Sequence, residues 1–180
     1  MLRVTSFVHR FIKDNLQSTA VILDLTLGNG NDAFFCLQNG HRVLGIDFQQ
    51  LAIERSERKC CEYPNHVFHH IDHAFLDCVV HEPLDCILMN NGYLPSADER
   101  ITTTLPSSLI ALEKSIALMR PFGYLIVTLY RKQDGGRDEA HGIESNLRQN
   151  KKLRFDLSYT YGDDDLAPLD RKSTRLNSSH

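Results

Sequence analysis

The stretch Asp24-Leu25-Thr26-Leu27-Gly28-Asn29-Gly30-Asn31-Asp32 gathers carboxylates, amides and glycines directly after an apolar run. Glycine at 28 and 30 permits positive φ and lets a ligand approach the backbone where a Cβ would clash. A further acid, Asp47, closes the next apolar run, RVLGID. A carboxylate in that place can accept hydrogen bonds from both hydroxyls of a ribose, so the glycine turn and the acid together point to an adenosine-type ligand. With Ala33 the turn also satisfies G-x-G-x-x-A, and the motif alone leaves a nicotinamide or flavin dinucleotide open. Charge separates the two ligands. A pyrophosphate at the helix start would face the like charge of Asp32. S-adenosylmethionine brings an ammonium and a sulfonium, for which Asp24 and Asp32 are favourable partners, and Asn29 and Asn31 can serve its carboxylate and amine. Each residue also has a structural reading: Asp32 or Asp47 as a helix cap, Asn31 in a left-handed turn. Their coincidence at two neighbouring strand ends favours a site.

Two further strand ends carry polar groups. In His69-His70-Ile71-Asp72-His73, Asp72 can accept from an exocyclic amine of adenine while His73 stacks or hydrogen bonds. His66, His69, His70 and His73 also raise the question of a metal. On a strand His69 and His70 point to opposite faces, so the four cannot converge without a break. In Met89-Asn90-Asn91-Gly92-Tyr93-Leu94-Pro95-Ser96-Ala97-Asp98 an apolar strand passes into a turn with an amide, an aromatic ring and a proline. Such a loop can hold a planar acceptor: Asn90 orienting its nitrogen, Tyr93 stacking, Asp98 taking a proton. The alternative is a plain turn with Asp98 as a cap.

These positions need strands that stop together. Phe7, Val8, Phe11, Ile12 and Leu16 share a helical face over 5–16, ahead of the strand 20–26. Strands at 42–47, 66–71, 84–90 and 123–130 alternate with helices near 32–39, 49–62, 74–80 and 106–119; a helix over 137–149 and a strand over 153–162 follow. The alternation predicts an α/β, Rossmann-like fold, a mostly parallel sheet with helices on both faces and ligands beyond the carboxyl ends of the strands. Residues 1–162 are expected to form one domain. Residues 163–180 have no apolar run for a seventh strand and read as an exposed tail, of which 171–180 resemble translated adapter read-through and are expected to be non-native. The final strand is therefore expected to be missing, and the bare edge of the sixth to need cover, as in a homodimer.

With 180 residues and 42% hydrophobic content the chain suits a single α/β domain. No apolar run is long enough for a membrane span and no secretory signal is recognisable, so a cytoplasmic location is expected. Five cysteines without C-x-x-C spacing suit reduced thiols. A formal charge of −3 argues against non-specific nucleic-acid binding over the whole surface, and removing Arg171, Lys172 and Arg175 makes the balance more negative still. Any RNA contact must be local; Arg148, Lys151, Lys152 and Arg154 are the densest cationic stretch within the body of the chain, though a solvated helix end and turn explains them better.

The combination D-x-T-x-G-N-G-N-D, G-I-D-F-Q-Q, H-x-D-H and N-x-G-Y-L-P-x-x-D followed by I-T-T-T resembles the bacterial class I S-adenosylmethionine-dependent methyltransferases formerly labelled "putative rRNA methylase". The resemblance runs from about residue 4 to 161. It implies methylation of the 5-aminomethyl group of (2-thio)uridine at the wobble position, with the tRNA anticodon arm as partner. It also implies cofactor contacts from Asn29, Asn31, Asp32, Asp47, Gln49, Asp72 and His73, and an acceptor pocket framed by Asn90 to Asp98 with Thr102 to Thr104. The sequence departs from the family's usual Ser at Asp72, Leu at Asn91 and glycines at Ser96 and Ala97. An rRNA or small-molecule methyltransferase and a catalytically silent binding module remain open, and a dehydrogenase lacks an evident hydride-transfer pair.

Overall fold

The computed structural model describes residues 4–91, 104–129, 136–160 and 169–175. In chain order these form α1 (Val4–Asn15), β1 (Val21–Asp24), α2 (Asn31–Gln38), β2 (Arg42–Asp47), α3 (Gln50–Cys60), β3 (His66–His70), a 3-10 segment (His73–Cys78), β4 (Leu84–Asn91), α4 (Leu105–Leu118), β5 (Met119–Leu129), α5 (Gly136–Gln149), β6 (Leu153–Thr160) and β7 (Leu169–Arg175). The sheet order is β3-β2-β1-β4-β5-β7-β6. The first five strands are parallel, and β7 runs antiparallel to both β5 and β6. This is the expected α/β architecture.

Strands covered on both faces are apolar almost without interruption, because successive side chains enter opposite cores. Leu23, Ile87, Met89, Leu125 and Val127 pack toward α4 and α5 with Leu112, Ile116, Ile143 and Leu147. The alternate residues Ile22, Val43, Cys86, Leu88 and Ile126 pack on the other face with Phe11, Ile12, Cys36, Leu37 and Ile53 from α1, α2 and α3. Cys36, Cys60 and Cys86 are buried free thiols in that layer, whereas Cys61 and Cys78 are exposed. The 3-10 segment replaces the α-helix expected near 74–80. Asp72 caps it by accepting from the Ala74 N–H at 2.8 Å, and the backbone at Phe75 leaves helical geometry. No helix among the described residues is long and apolar enough to cross a membrane.

The expectation of a missing final strand and a fully exposed tail is corrected by β7. Leu169–Arg175 lies between β5 and β6, paired with Tyr124–Leu129 on one side and with residues of 153–160 on the other. A strand flanked on both edges is held by two backbone ladders, which need no apolar run of its own. The sequence criterion looked for side-chain periodicity and so could not see it. β6 becomes the edge strand.

Phe122 in β5 combines φ of 63° with 67% exposure. A non-glycine residue in the left-handed region is strained, and here little packing repays the strain. Phe122→Gly is expected to raise stability by about 0.5–1 kcal/mol, the relief being partly offset by the freer unfolded chain. Urea unfolding of the two proteins checks this, and an unchanged or lower midpoint would refute it.

Candidate functional site

β1 is followed by β2 on one side and, after the crossover, by β4 on the other, so the sheet reverses its winding between β1 and β4. Such a switch point leaves a crevice beyond the strand ends. β1 ends at Asp24, which is 3% exposed and accepts from the Thr26 N–H at 3.1 Å. The chain then turns through Gly28 and Gly30, both at positive φ (54° and 65°). Asp47, at the end of β2, ties this turn down: Oδ2 accepts from the Gly28 N–H and Oδ1 from the Gln49 N–H, each at 2.9 Å. Each oxygen keeps a further lone pair for a ligand hydroxyl. Asp24, Gly28, Asn29, Gly30, Asn31, Asp32, Asp47 and Gln49 are thus brought together.

Helix α3 grips the same turn from outside. Ser56 Oγ donates to the Gly28 carbonyl at 3.2 Å, Arg55 Nη1 to Asn29 Oδ1 at 3.1 Å and Lys59 Nζ to Asn31 Oδ1 at 2.5 Å. A Cβ on Gly30 would lie 2.6 Å from Ser56 Oγ, so this glycine is required by close approach as well as by its φ. From α1, His9 Nε2 lies 2.7 Å from Asp32 Oδ1, and its ring stacks on Phe35 with centroids 3.9 Å apart. His9, Arg55, Ser56 and Lys59 are absent from the sequence-level site. The available signal was a single polar residue, Ser56, among the otherwise apolar buried positions Ala52, Ile53 and Cys60 of α3, with Arg55 and Lys59 flanking it.

Burial pushes the Asp24 carboxyl from its ordinary 3.8 up to about 8, with the charges of Asp32 and Asp47 adding to the effect and the Thr26 N–H opposing it. Burial also raises Asp47, against the hydrogen bonds from Gln49 and Gly28. Three acids therefore crowd a site of low dielectric, where a bound cation would favour the ionised form of Asp24 and a pyrophosphate would meet like charge. The folded protein holds the Asp24 proton at pH values where the unfolded chain has released it. The stability this contributes is full below the unfolded value and is lost as pH rises from about 4 to about 8, by a few kcal/mol at most. Asp24→Asn should flatten the fall; an equal slope for both proteins in denaturant titrations at pH 5 and 8 would contradict it.

The other strand ends divide. Asp72 is partly committed as the cap of the 3-10 segment. His73 is 5% exposed, its Nδ1 3.2 Å from the Leu25 carbonyl and its Nε2 3.2 Å from Ser107 Oγ. Burial lowers its pKa and so favours the neutral ring, with Nδ1–H donating to the carbonyl and Nε2 facing the Ser107 hydroxyl, which donates to the Thr104 carbonyl at 3.2 Å. Both nitrogens thus bind protein, and His73 joins the β1 exit to the start of α4. Asn90 stands beside the glycine turn, its backbone N–H donating to Thr26 Oγ1 at 2.7 Å. Its side-chain Oδ1 is buried and, among the described residues, has no hydrogen-bond partner. Tyr93, Asp98, Thr102 and Thr103 lie outside the described residues; Thr104 occupies the N-cap position of α4 without a side-chain capping bond, and its hydroxyl donates to Ser107 Oγ at 3.2 Å. Among the described residues no group of histidine, cysteine and acidic side chains is placed to hold a metal ion. Arg148, Lys151, Lys152 and Arg154 sit where α5 gives way to β6, level with the amino end of β5 and so opposite the crevice.

The family described as "Putative rRNA methylase" matches residues 43–161, a span that starts in β2 and so lies after the glycine turn. A curated relative, "tRNA (mnm(5)s(2)U34)-methyltransferase, chloroplastic" of Arabidopsis thaliana, is 26% identical over 164 residues, covering 79% of this chain. The chain spans 58% of the length of that relative. A "putative rRNA-methylase" from Clostridium thermocellum has a similar structure, with TM-score 0.89, 24% identity and coverage of 98% of this chain and 99% of that one. A "putative methyltransferase" from Streptococcus mutans in complex with SAH gives TM-score 0.86 at 23% identity, with the same coverage.

Proposed function

Because the chain belongs to the family described as "Putative rRNA methylase", we propose that it is an S-adenosylmethionine-dependent methyltransferase acting on the exocyclic amine of 5-aminomethyl-(2-thio)uridine at the tRNA wobble position, in the anticodon arm. The observation that carries this reading is the buried Oδ1 of Asn90, which stands beside the acidic glycine turn and has no partner among the described residues. A buried acceptor without a donor is costly unless a ligand supplies one, and an amine N–H is such a donor. The relative from Arabidopsis thaliana, whose name specifies a modified uridine of tRNA, supports the acceptor class.

Asp47 would hold the ribose hydroxyls, Asp24 and Asp32 the ammonium, and Asn29 and Asn31 the carboxylate of the cofactor, with Gln49 and Asp72 at its nucleoside end. When bound, S-adenosylmethionine supplies an electrophilic methyl group. Asn90 Oδ1 accepts one N–H of the substrate amine and so aims the nitrogen lone pair. The amine must be neutral to use that lone pair, since the ammonium has none, and Asp98 is our choice for taking the proton. Tyr93 is our choice for stacking on the base.

The test is incubation with S-adenosylmethionine and tRNA bearing 5-aminomethyl-2-thiouridine, followed by nucleoside mass analysis. One added methyl on that nucleoside is expected. Methylation of ribosomal RNA instead would reassign the acceptor, and binding of the cofactor without transfer to either RNA would overturn the catalytic reading.

A further inference from the structure

Resting on the cofactor reading above, we propose that Arg55 and Lys59 of α3 are positioning residues that fix the Asn29 and Asn31 amides and thereby make the turn selective for ligands with a free carboxylate tail. Arg55 Nη1 donates to Asn29 Oδ1 at 3.1 Å, and Lys59 Nζ donates to Asn31 Oδ1 at 2.5 Å. Each cation takes up the acceptor end of its amide. The flipped amide would set an NH2 group against a guanidinium or an ammonium, donor facing donor, so one orientation is enforced.

Both amides are consequently left with Nδ2 as the group to offer, and among the described residues no protein acceptor binds either one. Two oriented N–H donors backed by two cations suit a carboxylate. The same turn carries acceptors in Asp24 and Asp32, so the zwitterionic end of an α-amino acid finds donors for its carboxylate and acceptors for its ammonium. Arg55 and Lys59 act through the asparagines, and the spacing of α3 from the turn is kept by Ser56 against Gly28 and Gly30.

Calorimetric titration with S-adenosylhomocysteine and with 5′-methylthioadenosine tests this, because the latter keeps the nucleoside and thioether but lacks the amino-acid tail. The double variant Arg55→Met, Lys59→Met should bind S-adenosylhomocysteine roughly tenfold or more weakly and keep its affinity for methylthioadenosine within about twofold. Asn31→Asp provides a second route, since it retains a partner for Lys59 while putting an acceptor where a donor stood. It should show the same one-sided loss without loosening the turn. Equal losses for both ligands in the double variant would mean mere structural support and overturn the proposal, as would undiminished S-adenosylhomocysteine binding by Asn31→Asp. A wild-type protein that binds neither nucleoside would instead sink the cofactor reading itself.

Discussion

Asp47→Ala is expected to weaken S-adenosylmethionine binding by about 100-fold or more, the sum of a lost pair of ribose acceptors and a released glycine turn. The carboxylate holds the Gly28 and Gln49 N–H groups at once, so its removal orphans two backbone donors as well as the ligand contact. Each orphan left dry costs about 1–3 kcal/mol, so the midpoint of thermal unfolding should fall too. Calorimetric titration at a temperature where circular dichroism shows the variant folded separates the two effects. Affinity within about threefold of wild type in the folded variant would contradict the role given to this acid.

Asn90→Ala should show the opposite pairing of effects. Its backbone N–H, bonded to Thr26 Oγ1, survives the substitution, so the strand end and the cofactor turn stay where they are. Removing an acceptor that is buried with no partner among the described residues leaves stability unchanged or slightly improved. Methyl transfer, by contrast, should fall roughly 100-fold in kcat with little change in cofactor affinity, the usual scale for losing one hydrogen bond that aligns a reacting group. Single-turnover assays with 5-aminomethylated tRNA measure this directly. A variant that is less stable but equally fast would show that Asn90 serves the fold alone.

Much of this molecule was legible in its sequence where a residue's job is local. The apolar runs that became β1, β2, β3 and β4 end at the residues whose polarity marked them, and Asp24, Asp47, Asp72 and Asn90 do stand at those ends. What stayed hidden depends on partners distant in the chain. Nothing in the spacing of α3 says that Arg55 and Lys59 reach across to Asn29 and Asn31, and nothing near His9 says that it meets Asp32. His73 was readable as a polar group at a strand end, yet its ring is spent on Leu25 and Ser107, a commitment that only the packing of α4 reveals. β7 escaped for a different reason, since backbone pairing leaves no mark on side-chain periodicity.

The bonds from α1 and α3 to the glycine turn, and those of Asp47, all join residues between His9 and Lys59. Beyond the β1–β4 backbone ladder, the described side-chain bridges from there to the acceptor side at the site are Thr26 to Asn90 and, through His73, Leu25 to Ser107. A division of this kind lets the donor-holding half assemble from contacts short in sequence, early in synthesis and at low loop-closure cost. On the proposed reading, substitutions between Asn90 and Thr104 would retarget the protein to another nucleophile while the half that presents the methyl group is inherited intact.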